Sequence, residues 1–174
     1  ADVLDVGIDA ELAVGARAYG NDRGKVYVFH GSTNGLSAGS EWDAVGENER
    51  DDFGYSVAGA GDVNGDGYAD LAVGSVYYST QRGKVYVFHG GASGVSGTAG
   101  APAWSAVGEH TVDSIDHFGY SVASAGDVNG DGYGDIVVGT PDVNDYAGKV
   151  YVFHGGVGGL TGTAGSPAWS AEGD

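Results

Sequence analysis

The chain has no cysteine, no methionine and only three prolines among its 174 residues. Without cysteine no disulfide can brace the fold. A secreted protein of this kind needs bound metal or a sizeable core in their place. The missing methionine leads us to expect a processed product or an excised piece of something longer. Basic residues are scarce as well: seven Lys and Arg against 24 Asp and Glu leave a formal charge of −17. Phosphate binding needs clustered Lys and Arg, so neither nucleic acid nor an anionic membrane is an expected partner. No apolar run approaches the length that spans a bilayer, and membrane insertion is not expected.

Glycine is plentiful, with 35 copies, and tyrosine occurs 11 times. Together with the many valines this predicts an all-β protein of short strands joined by tight turns, long enough for one domain with a core. The sequence also repeats itself. Gly24 to Gly31 (Gly-Lys-Val-Tyr-Val-Phe-His-Gly) returns at Gly83 to Gly90 and at Gly148 to Gly155. Phe53-Gly54-Tyr55-Ser56-Val57-Ala58 returns from Phe118 to Ala123, and Ala103-Trp104-Ser105-Ala106 from Ala168 to Ala171, with Glu41-Trp42-Asp43-Ala44 as a looser copy. Repeats of this period indicate stacked structural units.

Two acidic loops stand out within the repeat. Asp62, Asn64, Asp66 and Asp70 recur as Asp127, Asn129, Asp131 and Asp135, at the first, third, fifth and ninth places of a nine-residue loop. Hard cations such as Ca²⁺ take six to eight oxygens, and this spacing wraps them around one ion. The carbonyl of Tyr68 or Tyr133 would add a further oxygen, and the intervening glycines permit the sharp turn. Three carboxylates per loop repel one another unless a cation lies between them. The loops run into Leu71-Ala72-Val73-Gly74 and Ile136-Val137-Val138-Gly139, which are short and apolar and predict strands rather than helices. Two Ca²⁺ sites per chain are expected.

Four strand candidates follow in each unit: the Phe-Gly run, the apolar run after the acidic loop, the Lys-Val-Tyr-Val-Phe run and the Trp run. In the third, Val26 and Val28 point one way and Tyr27 and Phe29 the other, so both faces need cover. Sheets stacked face to face around an axis provide that, and the pattern predicts the blades of a β-propeller.

Phe-Gly at 53–54 and 118–119, the acidic loops and Gly139-Thr140-Pro141 resemble the FG-GAP repeats of integrin α-subunits and of many bacterial secreted proteins. The bacterial versions are the more similar in the Gly-Lys-Val-Tyr-Val-Phe strand and the Gly35-Leu36-Ser37 and Gly159-Leu160-Thr161 turns. The resemblance implies a calcium-stabilised β-propeller of four-stranded antiparallel sheets, each metal lying between the first two strands of a blade. About two and three-quarter blades are expected: 1–52 as a blade without its first strand, 53–117, and 118–174. In the first unit the metal loop is degraded. Val3, Gly7 and Glu11 fall at ligand places beside Asp5, another register could bring in Asp2 and Asp9, and a third metal near Asp5 is not expected. So few blades cannot close a ring. Self-association of two copies into about six blades is favoured slightly over the missing blades of a longer chain, and an open stack is a third outcome.

His30, His89 and His154 repeat with the unit. Zinc would need three of them together, and a strand-end histidine satisfied by backbone is the expected role. His110 and His117 are expected in solvent, as is the acidic run from Glu47 to Asp52. Trp42, Trp104 and Trp169 are expected to pack between blades rather than stack on sugars. Tyr77, Tyr78 and Tyr146 depart from the repeat and are the better candidates for a ligand surface. No nucleophile–base pair and no phosphate loop is present. The expected function is therefore a non-catalytic extracellular or cell-surface module for binding or adhesion, with a protein or glycan ligand. The alternatives are a lectin with sugar sites between blades and the scaffold of a larger secreted hydrolase.

Overall fold

The structure, a computed structural model, describes residues 2–6, 9–109 and 115–173. It consists of three antiparallel sheets. The first holds β1 (Asp2–Val6), β2 (Asp9–Ala16), β3 (Lys25–Ser32) and β5 (Trp42–Val45), with the two-residue β4 (Gly35–Leu36) extending the end of β3. The second is β6 (Phe53–Gly61), β7 (Asp70–Ser75), β8 (Lys84–Phe88) and β9 (Trp104–Val107), in that order. The third repeats it as β10 (Ser121–Gly126), β11 (Asp135–Thr140), β12 (Lys149–Phe153) and β13 (Trp169–Glu172). Each sheet is a meander whose strands are neighbours in sequence, the arrangement of propeller blades.

The two faces of the Lys-Val-Tyr-Val-Phe strand explain how the sheets stack. Val26 and Val28 of the first sheet pack against Tyr86, Phe88, Leu71 and Val73 of the second. Val85 and Val87 of the second pack in turn against Tyr151, Phe153, Ile136 and Val138 of the third. Each blade thus turns its valines forward and its aromatics back, and the two hydrophobic cores are the two interfaces between sheets. In the middle sheet Val85, Tyr86, Val87 and Phe88 are all fully buried, as an apolar strand with two covered faces should be.

The Phe-Gly pair locks each sheet to the one before it. Phe118 bridges in parallel to Gly83, and its ring stands edge-on to Tyr151 and Phe153 at 5.1 and 6.2 Å. Phe53 does the same with Gly24, Tyr86 and Phe88. The following glycine has a positive φ and lies so close to the preceding sheet that a Cβ at Gly74 would come within 2.1 Å of the Gly119 carbonyl oxygen. No larger residue fits there.

Two features differ from the sequence reading. The first sheet has a strand in the innermost position, because β1 pairs with β2 from Asp2↔Ala13 to Val6↔Asp9. The stretch read as a degraded metal loop, with Asp5 inside it, is mostly ladder. Val3, Leu4 and Val6 favour a strand, and a ladder that runs as far as Val6↔Asp9 leaves no room for a nine-residue ion-binding loop. The second difference concerns the connections between the second and third strands of each sheet. They contain single-turn segments α1 (Tyr19–Asp22), α2 (Tyr78–Gln81) and α3 (Val143–Tyr146). Within α1 and α2 the backbone is left-handed, at Gly20, Asn21 and Asp22 and at Ser79, Thr80 and Gln81. Non-glycine residues there carry strain that the surrounding contacts must offset.

Candidate metal loops and ligand face

The acidic loops lie between the first and second strands of the second and third sheets, at one end of the stack. Meander topology puts the α1, α2 and α3 turns at the opposite end. The loops are copies of one another. Asp62 Oδ1 accepts the Gly65 and Asp66 amides at 2.7 and 3.1 Å and its Oδ2 accepts Gly67 at 2.8 Å. Asp127 makes the corresponding bonds to Gly130, Asp131 and Gly132 at 2.7, 3.0 and 2.8 Å. Asn64 donates to Asp66 and Asn129 to Asp131, both at 2.9 Å, while Asp66 Oδ1 accepts Tyr68 N and Asp131 Oδ1 accepts Tyr133 N. Loop conformation is therefore set by the first and fifth carboxylates gathering backbone amides, as in an Asx-type turn.

The ninth-position acids are placed differently. Asp70 and Asp135 are almost fully buried. Asp70 joins the loop to the sheet by accepting Val63 N at 2.8 Å and Gly90 N at 2.9 Å, and Asp135 accepts Val128 N and Gly155 N at the same distances. Burial pushes the Asp70 carboxyl above the usual range, opposed by those two amides. Sequence spacing did not single out Gly90 and Gly155 as partners, although each ends the repeated His-Gly pair. Tyr68 is exposed. Tyr133 lies over the preceding loop, where a Cβ on Gly65 would meet its ring at 2.5 Å. Among the described residues no three Asp, Glu or His side chains are drawn together as a ready-made metal cluster. The donors nevertheless suit a hard cation: each loop offers only oxygens, and each carboxylate oxygen that accepts one amide keeps a second lone pair.

At the other end, a cleft of about 600 Å³ opens between the first and second sheets, lined by Arg17, Asp22, Glu49, Arg50, Tyr77 and Gln81 among others. Tyr77, one of the ligand-surface candidates, borders it. Tyr78 instead lies under the Lys84 ammonium, 4.7 Å from the ring centre, and Tyr146 is largely exposed on the third sheet.

Several residues expected in solvent are not there. Asp51 and Asp52 are buried, because the connection carrying them folds into the joint between sheets. Asp51 accepts the Asn48 side-chain amide at 2.9 Å, and Asp52 pairs with Arg17 at 3.3 Å. Glu47 receives Lys84 at 2.5 Å and the Tyr86 hydroxyl at 2.9 Å. His117 is mostly buried, bonded through Nδ1 to Asp142 and edge-on to Tyr77 at 5.2 Å. His110 lies outside the described residues. The Nε2 of His89 is buried against Gly159 of the third sheet with no hydrogen-bond partner, so the backbone bond expected for it is not made.

Burial raises the Asp51 carboxyl against the opposing Asn48 donors, and raises Asp52 against the opposing charge of Arg17. Folding therefore favours their protonated forms. The stability this gives is present below the unfolded carboxylate value of about 3.9 and is lost as pH rises through the higher folded values. Asp51→Asn keeps an acceptor for Asn48 and never ionises. Its urea midpoint relative to wild type is expected to rise between pH 4 and pH 7, and a constant difference would refute the assignment.

Two repeats in the chain, residues 53–88 and 118–153, match the FG-GAP repeat family. The chain is 41% identical over 121 residues to integrin alpha pat-2 of Caenorhabditis briggsae, covering 68% of this chain and 10% of that protein. It is 31% identical over 141 residues to integrin alpha-11 of Mus musculus (79% and 12%), and 30% identical over 155 residues to integrin alpha-4 of Xenopus laevis (85% and 14%). The chain thus spans 10–14% of the length of these curated relatives. All three are animal integrins, which lends no support to a greater similarity to bacterial versions.

Proposed function

Because this chain carries FG-GAP repeats of the integrin α type, we propose that it is a non-catalytic, extracellular binding module of the adhesion kind, stabilised by Ca²⁺. One ion would be held in each acidic loop: by Asp62, Asn64, Asp66, the Tyr68 carbonyl and Asp70 in the first, and by Asp127, Asn129, Asp131, the Tyr133 carbonyl and Asp135 in the second. The observation carrying this reading is the duplicate loop, with the same donors at the same places and the same amide bonds. The ion supplies charge neutralisation and cross-links the loop; no reaction is assigned to it. The ligand face is the end bearing the cleft beside Tyr77 and Arg50, where the strained turns cluster.

Calorimetric titration of metal-free protein with CaCl₂ tests the metal assignment. Two ions per chain are expected, and one in Asp66→Ala or Asp131→Ala. A flat titration of the wild-type protein would sink it. The lectin reading loses two of its three tryptophan platforms, since Trp42 and Trp104 each pack on a phenylalanine of the next sheet, at 5.0 and 4.9 Å. A glycan array in calcium that lights up for particular sugars would restore that reading.

A further inference from the structure

The two acidic loops are bonded to each other across the joint between the second and third sheets. The Gly134 amide of the later loop donates to the Asp62 carbonyl of the earlier one at 2.7 Å. Gly134 lies between Tyr133 and Asp135, two donors assigned to one ion, and Asp62 is the first donor assigned to the other. The Tyr133 ring also covers Gly65 of the earlier loop.

A second path joins the buried acids. Asp135 accepts the Gly155 amide at 2.9 Å, the neighbouring Gly156 amide donates to the Val63 carbonyl at 3.0 Å, and the Val63 amide donates to Asp70 at 2.8 Å. Asp70 and Asp135, the ninth residues of their loops, are thus linked by hydrogen bonds through a few atoms of main chain. The packing along both paths is close. A Cβ at Gly155 would come within 2.3 Å of the Gly134 carbonyl oxygen and 2.7 Å of that of Val63. Gly134 itself holds the eighth place of its loop, where the earlier loop has Ala69. A Cβ there would lie 3.1 Å from the Ala60 carbonyl oxygen and the Asp62 amide.

We propose that the two Ca²⁺ sites are coupled through Gly134 and Gly156, so that filling either one strengthens binding at the other. The proposal rests on the metal reading above. Donors fixed in one loop hold the main chain that places donors of the other, so the entropy cost of ordering the shared segment falls on the first ion bound. Repulsion between the ions opposes this, but salt at 0.15 M screens charges more than about 8 Å apart. Each loop's three carboxylates also outnumber the two charges of its ion.

Calorimetric titration with CaCl₂ in about 0.15 M KCl tests the coupling. The product of the two association constants of the wild type should exceed the product of the single constants of Asp66→Ala and Asp131→Ala by about fivefold or more. Adding Gly134→Ala to all three chains should bring that ratio close to one, with each single-site constant changed by less than about twofold. Alanine already serves at this place in the earlier loop, but here its methyl presses the two loops apart. Amide chemical shifts give a second readout. In Asp131→Ala calcium can fill only the 62–70 loop, and the Gly134 and Gly156 resonances should nonetheless move. A ratio of one in the wild type, a ratio untouched by Gly134→Ala, or unmoved Gly134 and Gly156 amides overturns the coupling and leaves two separate calcium sites standing. A flat wild-type titration would instead remove the metal reading, and the coupling with it.

Discussion

Chelating calcium should lower the melting temperature by about 10–20 °C. An ion at a hundredfold excess over its dissociation constant adds about 2.7 kcal/mol to the folded state, so two sites add roughly twice that. For a chain of this size each kcal/mol moves the midpoint by about 2–4 °C. Asp66→Ala and Asp131→Ala should each give about half the loss in calcium. In chelator they should differ little from wild type, because both acids are exposed and their hydrogen bonds stay within the loop. That second comparison matters most. A purely structural loop acid would cost the same in both buffers, whereas a metal ligand costs stability only when metal is present. Asp70 and Asp135 would behave differently: each is buried and bonds two amides, so its removal should destabilise the protein in both buffers.

The repeat made much of this fold legible. Val26 and Tyr27 point to opposite faces of one strand with neither polar, and that alone required covered faces on both sides and hence stacked sheets. The place of the acidic loops was equally plain, because each runs straight into a short apolar strand, β7 or β11. What remained hidden was non-local. The burial of Asp51, Asp52 and His117 depends on connections folding into the joints between sheets, and the partners of Asp52 and His117, Arg17 and Asp142, lie 35 and 25 positions away. The double role of Asp70 was hidden for the same reason, since Gly90 is 20 residues distant. The first strand was misread because the unit was aligned on the loop of its neighbours. The ladder between β1 and β2 takes up most of that stretch, and pairing is decided by the whole ladder rather than by one motif.

Removing the Phe-Gly lock should have an effect comparable to removing both ions, but confined to one joint. Phe118 is fully buried with its ring edge-on to two aromatics, and Phe→Ala at such a site costs about 3–5 kcal/mol. Gly74→Ala attacks the same joint from the other side. Its new methyl would lie 2.1 Å from the Gly119 carbonyl oxygen and 2.3 Å from Ser56 Oγ, and neither sheet can yield without parting from the other. Both variants should loosen the third sheet while the first joint persists. The indole N–H resonance of Trp104, whose acceptor Gly162 is on the third sheet, should then shift or broaden. That of Trp42, bonded to Gly97 on the second, should stay in place. Gly139→Ala is the control, since its methyl would meet only the Ser121 hydroxyl of its own sheet, which can rotate away. Its cost should be a small fraction of that of Gly74→Ala. Equal damage from the two would mean that these glycines serve strand geometry within a sheet rather than contact between sheets.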